Sequence, residues 1–218
     1  MRSLLPVLVA AIGLVPTAAR AAWVENGVPV GGRPGLQSEV QIETDGAGGS
    51  FLVWSDRRNG TTNADIYLQH VDPLGTPLWA SDGIAVCAAA ADQVSPRIAG
   101  DGVGGVFVTW ADGRSGNQDI YAQRVSGDGT VLWAADGVGL CTISGIQSAP
   151  CLTADGTGSA VVAWQDGRSS TTDIFAQKVD GSGAIQWSTN GVPILPRNAV
   201  TDESRHRGRR YGGRCSLL

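Results

Sequence analysis

Trp110-Ala-Asp-Gly-Arg114 followed by Asp119-Ile-Tyr-Ala-Gln123 decides the fold, because this frame occurs three times in the chain. It stands also as Trp54-Ser-Asp-Arg-Arg58 with Asp65-Ile-Tyr-Leu-Gln69, and as Trp164-Gln-Asp-Gly-Arg168 with Asp173-Ile-Phe-Ala-Gln177. Downstream in each copy comes a second tryptophan, Trp79, Trp133 and Trp187, at spacings of 54 and 54 residues. Upstream lies a turn, Asp45-Gly-Ala-Gly-Gly49, Asp101-Gly-Val-Gly-Gly105 or Asp155-Gly-Thr-Gly-Ser159. Agreement at so many positions with one period marks an internal structural repeat.

One period reads as four short strands. A strand around Pro96 to Ala99 meets the Asp101-Gly102 turn, whose glycines can take the positive φ of a tight hairpin. A second strand from Gly105 to Trp110 is apolar on both faces and is expected to be buried on both sides. Ile120 to Val125 is a third, Gly127-Asp-Gly129 turns the chain, and Val138 to Cys141 is a short fourth. Four antiparallel strands in roughly 40 to 50 residues is the size of a propeller blade, which must stack on others to bury its faces. Solenoid coils are shorter, and sandwich domains run to about 100 residues. The expected fold is all-β, a β-propeller-like array of four-stranded antiparallel blades with three repeats plus one N-terminal strand, incomplete as a ring. That N-terminal strand is read from Trp23-Val-Glu-Asn-Gly-Val-Pro-Val30, which matches Trp187-Ser-Thr-Asn-Gly-Val-Pro-Ile194.

The expected organisation is a signal peptide over 1–21, repeats over 22–196 (about 31–87, 88–141 and 142–195) and a basic irregular tail over 197–218. Arg2, the apolar run Leu4 to Val15 and the small-residue site Ala19-Arg20-Ala21 have the order of a secretory leader, with an uncleaved anchor as the alternative. No later stretch is apolar enough to span a bilayer as a helix, so no transmembrane segment is expected after cleavage. In the tail, six Arg and His206 replace the pattern of a fourth repeat, which extrapolates to a Gln near 201 and an Asp-Gly turn near 209. A shift of reading frame accounts for such a tail, and a basic arm for anionic surfaces is the other reading.

Composition agrees with short strands and tight turns: 31 Gly, 7 Trp and one Met, with 42% hydrophobic and 17% charged residues. A net charge of -4 and pI near 5.1 provide no basic stripe for phosphates, so nucleic acid is excluded as a partner class.

The candidates for chemistry are weighed against their recurrence. Asp56, Asp112 and Asp166 with Arg58, Arg114 and Arg168 recur in every copy, and a residue needed in every blade belongs to the blade, here as a turn-forming Asp and an Arg paired across the loop. Asp65, Asp119 and Asp173 are expected to cap the next strand or pair with that Arg. A calcium loop needs several alternating oxygen ligands, whereas Asp-Gly-x-Gly-Gly offers one carboxylate. A dinucleotide cradle needs a helix after the glycines, and a strand follows. With only His70 and His206, histidine-based metal sites and Ser-His-Asp catalysis lack material. No catalytic residue, cofactor or metal is therefore assigned. Trp54, Trp79, Trp110, Trp133, Trp164 and Trp187 are expected in the layers between blades rather than on sugar-binding surfaces. Cys141 and Cys151 flank the crossing between two copies and are the candidate disulfide, Cys87 takes an apolar core place, and Cys215 lies in the tail.

The pattern Asp-Gly-x-Gly-Gly, Trp-x-Asp-x-Arg, Asp-Ile-Tyr-x-Gln resembles the repeats of large secreted bacterial β-propeller proteins over about residues 23 to 195. Its Asp-Ile-Tyr strand is similar to that of periplasmic TolB-type propellers, which lack the Trp-x-Asp-x-Arg loop, and the chain has no Ser-x-Asp-x-Gly-x-Thr-Trp box of sialidase-type propellers. The resemblance implies a fold and a secreted, periplasmic or cell-surface address. The expected function is a non-catalytic binding or scaffolding module for a protein or glycan, with self-association through open blade edges. The alternative is a fragment of a carbohydrate-active propeller enzyme of glycoside hydrolase or lyase type, which would need paired carboxylates. Glu25, Glu39 and Glu43 are the only Glu outside the tail.

Overall fold

Three successive segments fold into four-stranded antiparallel sheets in the computed structural model, which describes residues 26–194. Blade 1 comprises β1 (Gln37–Thr44), β2 (Ser50–Asp56), β3 (Asp65–Val71) and β4 (Ile84–Cys87). Blade 2 comprises β5 (Gln93–Gly100), β6 (Val106–Asp112), β7 (Asp119–Val125) and β8 (Val138–Cys141). Blade 3 comprises β9 (Gln147–Ala154), β10 (Ala160–Asp166), β11 (Asp173–Val179) and β12 (Val192–Pro193). Strand order follows the chain within each sheet. Strand β1 packs beside β5 and β5 beside β9, so the first strands form the inner edge of the array and β4, β8 and β12 the outer edge. The all-β, propeller-like array expected from the repeat is therefore the fold. No helix among the described residues is long and apolar enough to cross a membrane.

Why the blades stack is visible in β6. All seven of its residues are buried, because Val106, Val108 and Trp110 face blade 1 while Phe107 faces blade 3. On the blade 1 side they meet Phe51, Val53, Ile66, Leu68 and Val86. On the other, Phe107, Ile120, Ala122 and Leu140 meet Ala160, Val162, Trp164 and Val179. The counterpart strand β10, at the end of the array, is buried only at alternate positions. The same sequence pattern is thus half-buried or fully buried according to whether a neighbour is present.

Two backbone features recur. The inner strands bulge at Glu39, Ser95 and Ala149, which have φ of 57°, 55° and 50°, and the ladder register shifts there in each blade. Pro96 and Pro150 follow two of these residues, where a bulge leaves no ladder bond for their missing N–H. At the outer turn, Gly83, Gly137 and Gly191 have φ of 78°, 88° and 83°. A Cβ at Gly137 would stand 2.6 Å from the Trp110 ring, so both the positive φ and the close approach require glycine there.

Residues 26–32 carry no strand, yet they occupy the place of an outer strand. Asn26 and Gly27 have φ of 70° and 82°, as Asn190 and Gly191 have 62° and 83°. Gly32 N donates to Asp82 Oδ1 (3.2 Å), as Ala88 N donates to Asp136 Oδ1 (2.9 Å) and Thr142 N to Asn190 Oδ1 (3.1 Å). Strands β4 and β8 exist by pairing with β3 and β7. Residues 28–30 have no such strand beside them among the described residues. The expected leader over 1–21, Trp23, Leu195, the tail over 197–218 and Cys215 lie outside the described residues.

Removing buried volume between blades should cost far more than trimming a turn. Ile120→Ala, fully buried between blades 2 and 3, is expected to lower unfolding free energy by about 2–5 kcal/mol. Val103→Ala, 75% exposed, should stay within about 0.5 kcal/mol of the parent. Urea unfolding followed by tryptophan fluorescence compares the two, and equal effects would contradict this packing.

Candidate functional site

The Trp-x-Asp-x-Arg frame builds the same polar node in each blade. Strand alternation puts the Trp and the Asp two residues on, on one face of the second strand. Trp54 Nε1 donates to Asp56 Oδ2 (2.8 Å), Trp110 Nε1 to Asp112 Oδ2 (2.7 Å) and Trp164 Nε1 to Asp166 Oδ2 (2.8 Å). The other carboxylate oxygen accepts the backbone N–H of Arg58, Arg114 or Arg168, which closes the loop. The guanidinium then returns to the same carboxylate at 2.5 Å for Arg58 and 2.6 Å for Arg114 and Arg168. It also donates to the carbonyl of Asp82, Asp136 or Asn190 in the outer turn and lies over the ring of Tyr67, Tyr121 or Phe175 at 3.6, 4.1 and 3.8 Å. All three carboxylates are fully buried. Burial pushes the Asp56 and Asp166 carboxyls up, and the Arg and Trp hydrogen bonds outweigh it, so both sit below the usual carboxylate range.

Of the two roles expected for Asp65, Asp119 and Asp173, capping the next strand or pairing with the loop arginine, the second is taken by Asp56, Asp112 and Asp166, which bind those arginines. Asp65 accepts from Asn59 Nδ2 (2.7 Å) and Asn63 Nδ2 (2.9 Å), Asp119 from Asn117 Nδ2 (2.9 Å), and Asp173 from Ser169 Oγ (3.4 Å). With its amide nitrogen turned toward acceptors, Gln147 also donates to Asp119 Oδ1 at 3.2 Å. Burial, with two neutral donors and no cation in contact, pushes Asp65 up.

The expected Cys141–Cys151 bridge is not formed. Cys141 ends the outer strand of blade 2 and Cys151 lies on the inner strand of blade 3, at opposite radial ends of their sheets. Cys141 is a free thiol that accepts from Arg168 Nη2 (3.3 Å), as Cys87 accepts from Arg114 Nη2 (3.1 Å), joining each node to the blade before it. Burial pushes the Cys87 thiol up to about 12 and Cys141 to about 11, so neither is a reactive thiolate at neutral pH.

The later tryptophans tie blade to blade. Trp79 Nε1 donates to Gly127 O (3.3 Å) and Trp133 Nε1 to Gly181 O (3.0 Å). Trp187, at the same position in blade 3, is 38% exposed.

Three further sets of polar side chains form bonds that the sequence reading does not assign. Gln69, Gln123 and Gln177 are fully buried and brace the turn after the third strand: each amide nitrogen donates to Ala80, Ala134 or Ser188 O, and each carbonyl accepts from the backbone of Trp79, Trp133 or Trp187. Their threefold recurrence was the available signal. Asp45, Asp101 and Asp155 pair with His70 (3.0 Å), Arg124 (2.8 Å) and Lys178 (2.8 Å), so a basic residue of changing identity serves one position. Glu39 is the non-repeating member of the bulge, and its Oε2 accepts from Ser55 Oγ (3.0 Å) and, across the blade boundary, from Ser95 N (2.7 Å). No group of three or more His, Cys, Asp or Glu converges to hold a metal among the described residues.

No protein-family model and no curated protein matches the chain. Among solved structures, the endo-arabinase from Bacteroides thetaiotaomicron VPI-5482 is similar, with TM-score 0.45 and 16% identity over 68% of this chain. The match spans 59% of that enzyme's chain.

Acid should unfold the protein through these carboxylates. Asp45, held low first by its His70 hydrogen bond, Asp101, Asp155, Asp56 and Asp166 all sit below the usual carboxylate range in the folded protein. Their stabilisation is complete above the unfolded value, near 4, and is lost as pH falls through the folded values. Asp65 runs the opposite way, since protonation relieves its burial. With five groups against one, urea unfolding free energy should be nearly level from pH 7 to 5 and fall steadily toward pH 3. Constant or rising stability over that last interval would contradict the assignment.

Proposed function

We propose that the chain is a non-catalytic, extracytoplasmic binding or scaffolding module that presents propeller loops to a protein or glycan. The observation supporting it most strongly is that the buried carboxylates of the Trp-x-Asp-x-Arg nodes are already engaged. Asp56, Asp112 and Asp166 are each bound by an indole and a guanidinium. A general acid needs a raised pKa together with access to substrate. Asp65 has the first, but it is fully buried and bound to two asparagines. Glu39 stands on an inner strand, where a propeller enzyme would place a carboxylate, and spends its oxygen on a tie between blades. Its left-handed backbone is shared by Ser95 and Ala149, so that strain belongs to the blade design rather than to one site. The extracytoplasmic address rests on the leader-like order of residues 1–21.

A glycoside hydrolase reading would use Glu39 with a second carboxylate about 5–9.5 Å away. Incubating the purified chain with arabinan and a panel of other plant and bacterial polysaccharides separates the readings. No new reducing ends are expected from either the parent or Glu39→Gln, while affinity electrophoresis or a protein-binding screen should retain the parent. Hydrolysis by the parent that is lost in Glu39→Gln would overturn the proposal.

A further inference from the structure

Blade 3 shows what an uncovered flank looks like. Ile174 is 40% exposed, whereas Ile66 and Ile120, at the same repeat position in blades 1 and 2, are fully buried by the next blade. Val161, Ala163 and Gln165 are likewise less buried than their blade 2 counterparts Phe107, Thr109 and Ala111. Blade 1 has the complementary deficit. Val40 is 58% and Ile42 65% exposed, whereas Pro96, the counterpart of Val40, is buried and Ile98, the counterpart of Ile42, packs against the core between blades 1 and 2. Each end of the array therefore presents one half of an interface that the chain already makes twice.

The segment 26–32 adds a second, independent observation. It is anchored to blade 1 through Gly32 N and Asp82 and keeps the outer-strand turn, but its ladder partner is missing among the described residues. The partner it fits is β11. There, Val192 and Pro193 pair with Ala176 and Phe175, and Asn190-Gly-Val-Pro193 is identical to Asn26-Gly-Val-Pro29. Strand β12 has two residues where β4 and β8 have four, so little ladder is lost when it gives way.

The geometry points to a head-to-tail pair of two copies of this chain, in which the flank of blade 3 packs on blade 1 of the partner copy and Val28–Val30 of that copy replaces β12 along β11. The exchange substitutes one Asn-Gly-Val-Pro for another, so the ladder changes little, and the driving force is the burial of Ile174, Val161, Val40 and Ile42. Three blades from each copy make six, within the roughly four to eight blades of closed propellers. A closed pair leaves no flank open, whereas a contact that failed to close would run on into a filament.

The register gives the test. In the pair, Val28 of one copy lies opposite Ala176 of the other, while within one chain the two sit at opposite ends of the array. Sedimentation of the parent chain should give twice the mass of one chain. Val28→Cys combined with Ala176→Cys should give, on oxidation, one covalent species of that doubled mass, absent from either single variant. Ile174→Lys should return the mass to that of one chain with its β-sheet circular dichroism retained, since Ile174 is partly exposed in the single copy. A parent that stays at one chain's mass at every concentration, a ladder of larger covalent species, or a doubled mass untouched by Ile174→Lys would overturn the arrangement.

Discussion

Every other feature of this protein depends on a face-to-face contact between sheets. A four-stranded blade has two apolar faces and no way to hide either, and the seven buried residues of β6 show both faces satisfied by neighbours. Burial between blades also sets the chemistry of the polar groups there. A carboxylate in that layer is costly unless it is fully bonded, and each of Asp56, Asp112 and Asp166 is bonded by an indole, a backbone N–H and a guanidinium.

The nodes connect levels of the structure that are distant in sequence. Arg114 touches the loop that begins at Asp112, the outer turn at Asp136, the Tyr121 ring and the Cys87 sulfur of the preceding blade. One guanidinium thus fixes a loop, a turn and a blade boundary together. Such over-determined positions are rigid, and rigidity in the scaffold leaves the exposed turns between strands as the parts able to vary.

Much of the fold could be read from the repeat. The Gly turns, the two-faced apolar strand and the short fourth strand each have local causes, and Val138–Cys141 forms just where the pattern places it. What escaped the reading depended on three-dimensional neighbours. Asn63 and Asn117, each two residues before the Asp it binds, share one repeat position, but the third copy has Thr171 there and Asn59 recurs in neither other copy, so the signal is incomplete. The bulge at Ser95-Pro96 lies inside a strand whose apolar pattern hides it, with the proline as the sole clue. The Cys141–Cys151 bridge looked natural from proximity in sequence, but a blade crossing carries the chain from the outer edge of one sheet to the inner edge of the next. The polar node residues were legible as recurring positions. Their mutual bonding required the sheet's alternation and the returning Arg side chain.

The dependence of one blade on its neighbours can be measured by excising it. A peptide spanning residues 88–141 contains every strand and turn of blade 2 but neither adjoining face. An amide spectrum collapsed into the random-coil range, with no cooperative thermal transition, is the predicted result. A dispersed spectrum from a monomeric peptide that melts cooperatively would show that the blade supports itself, and would contradict the account.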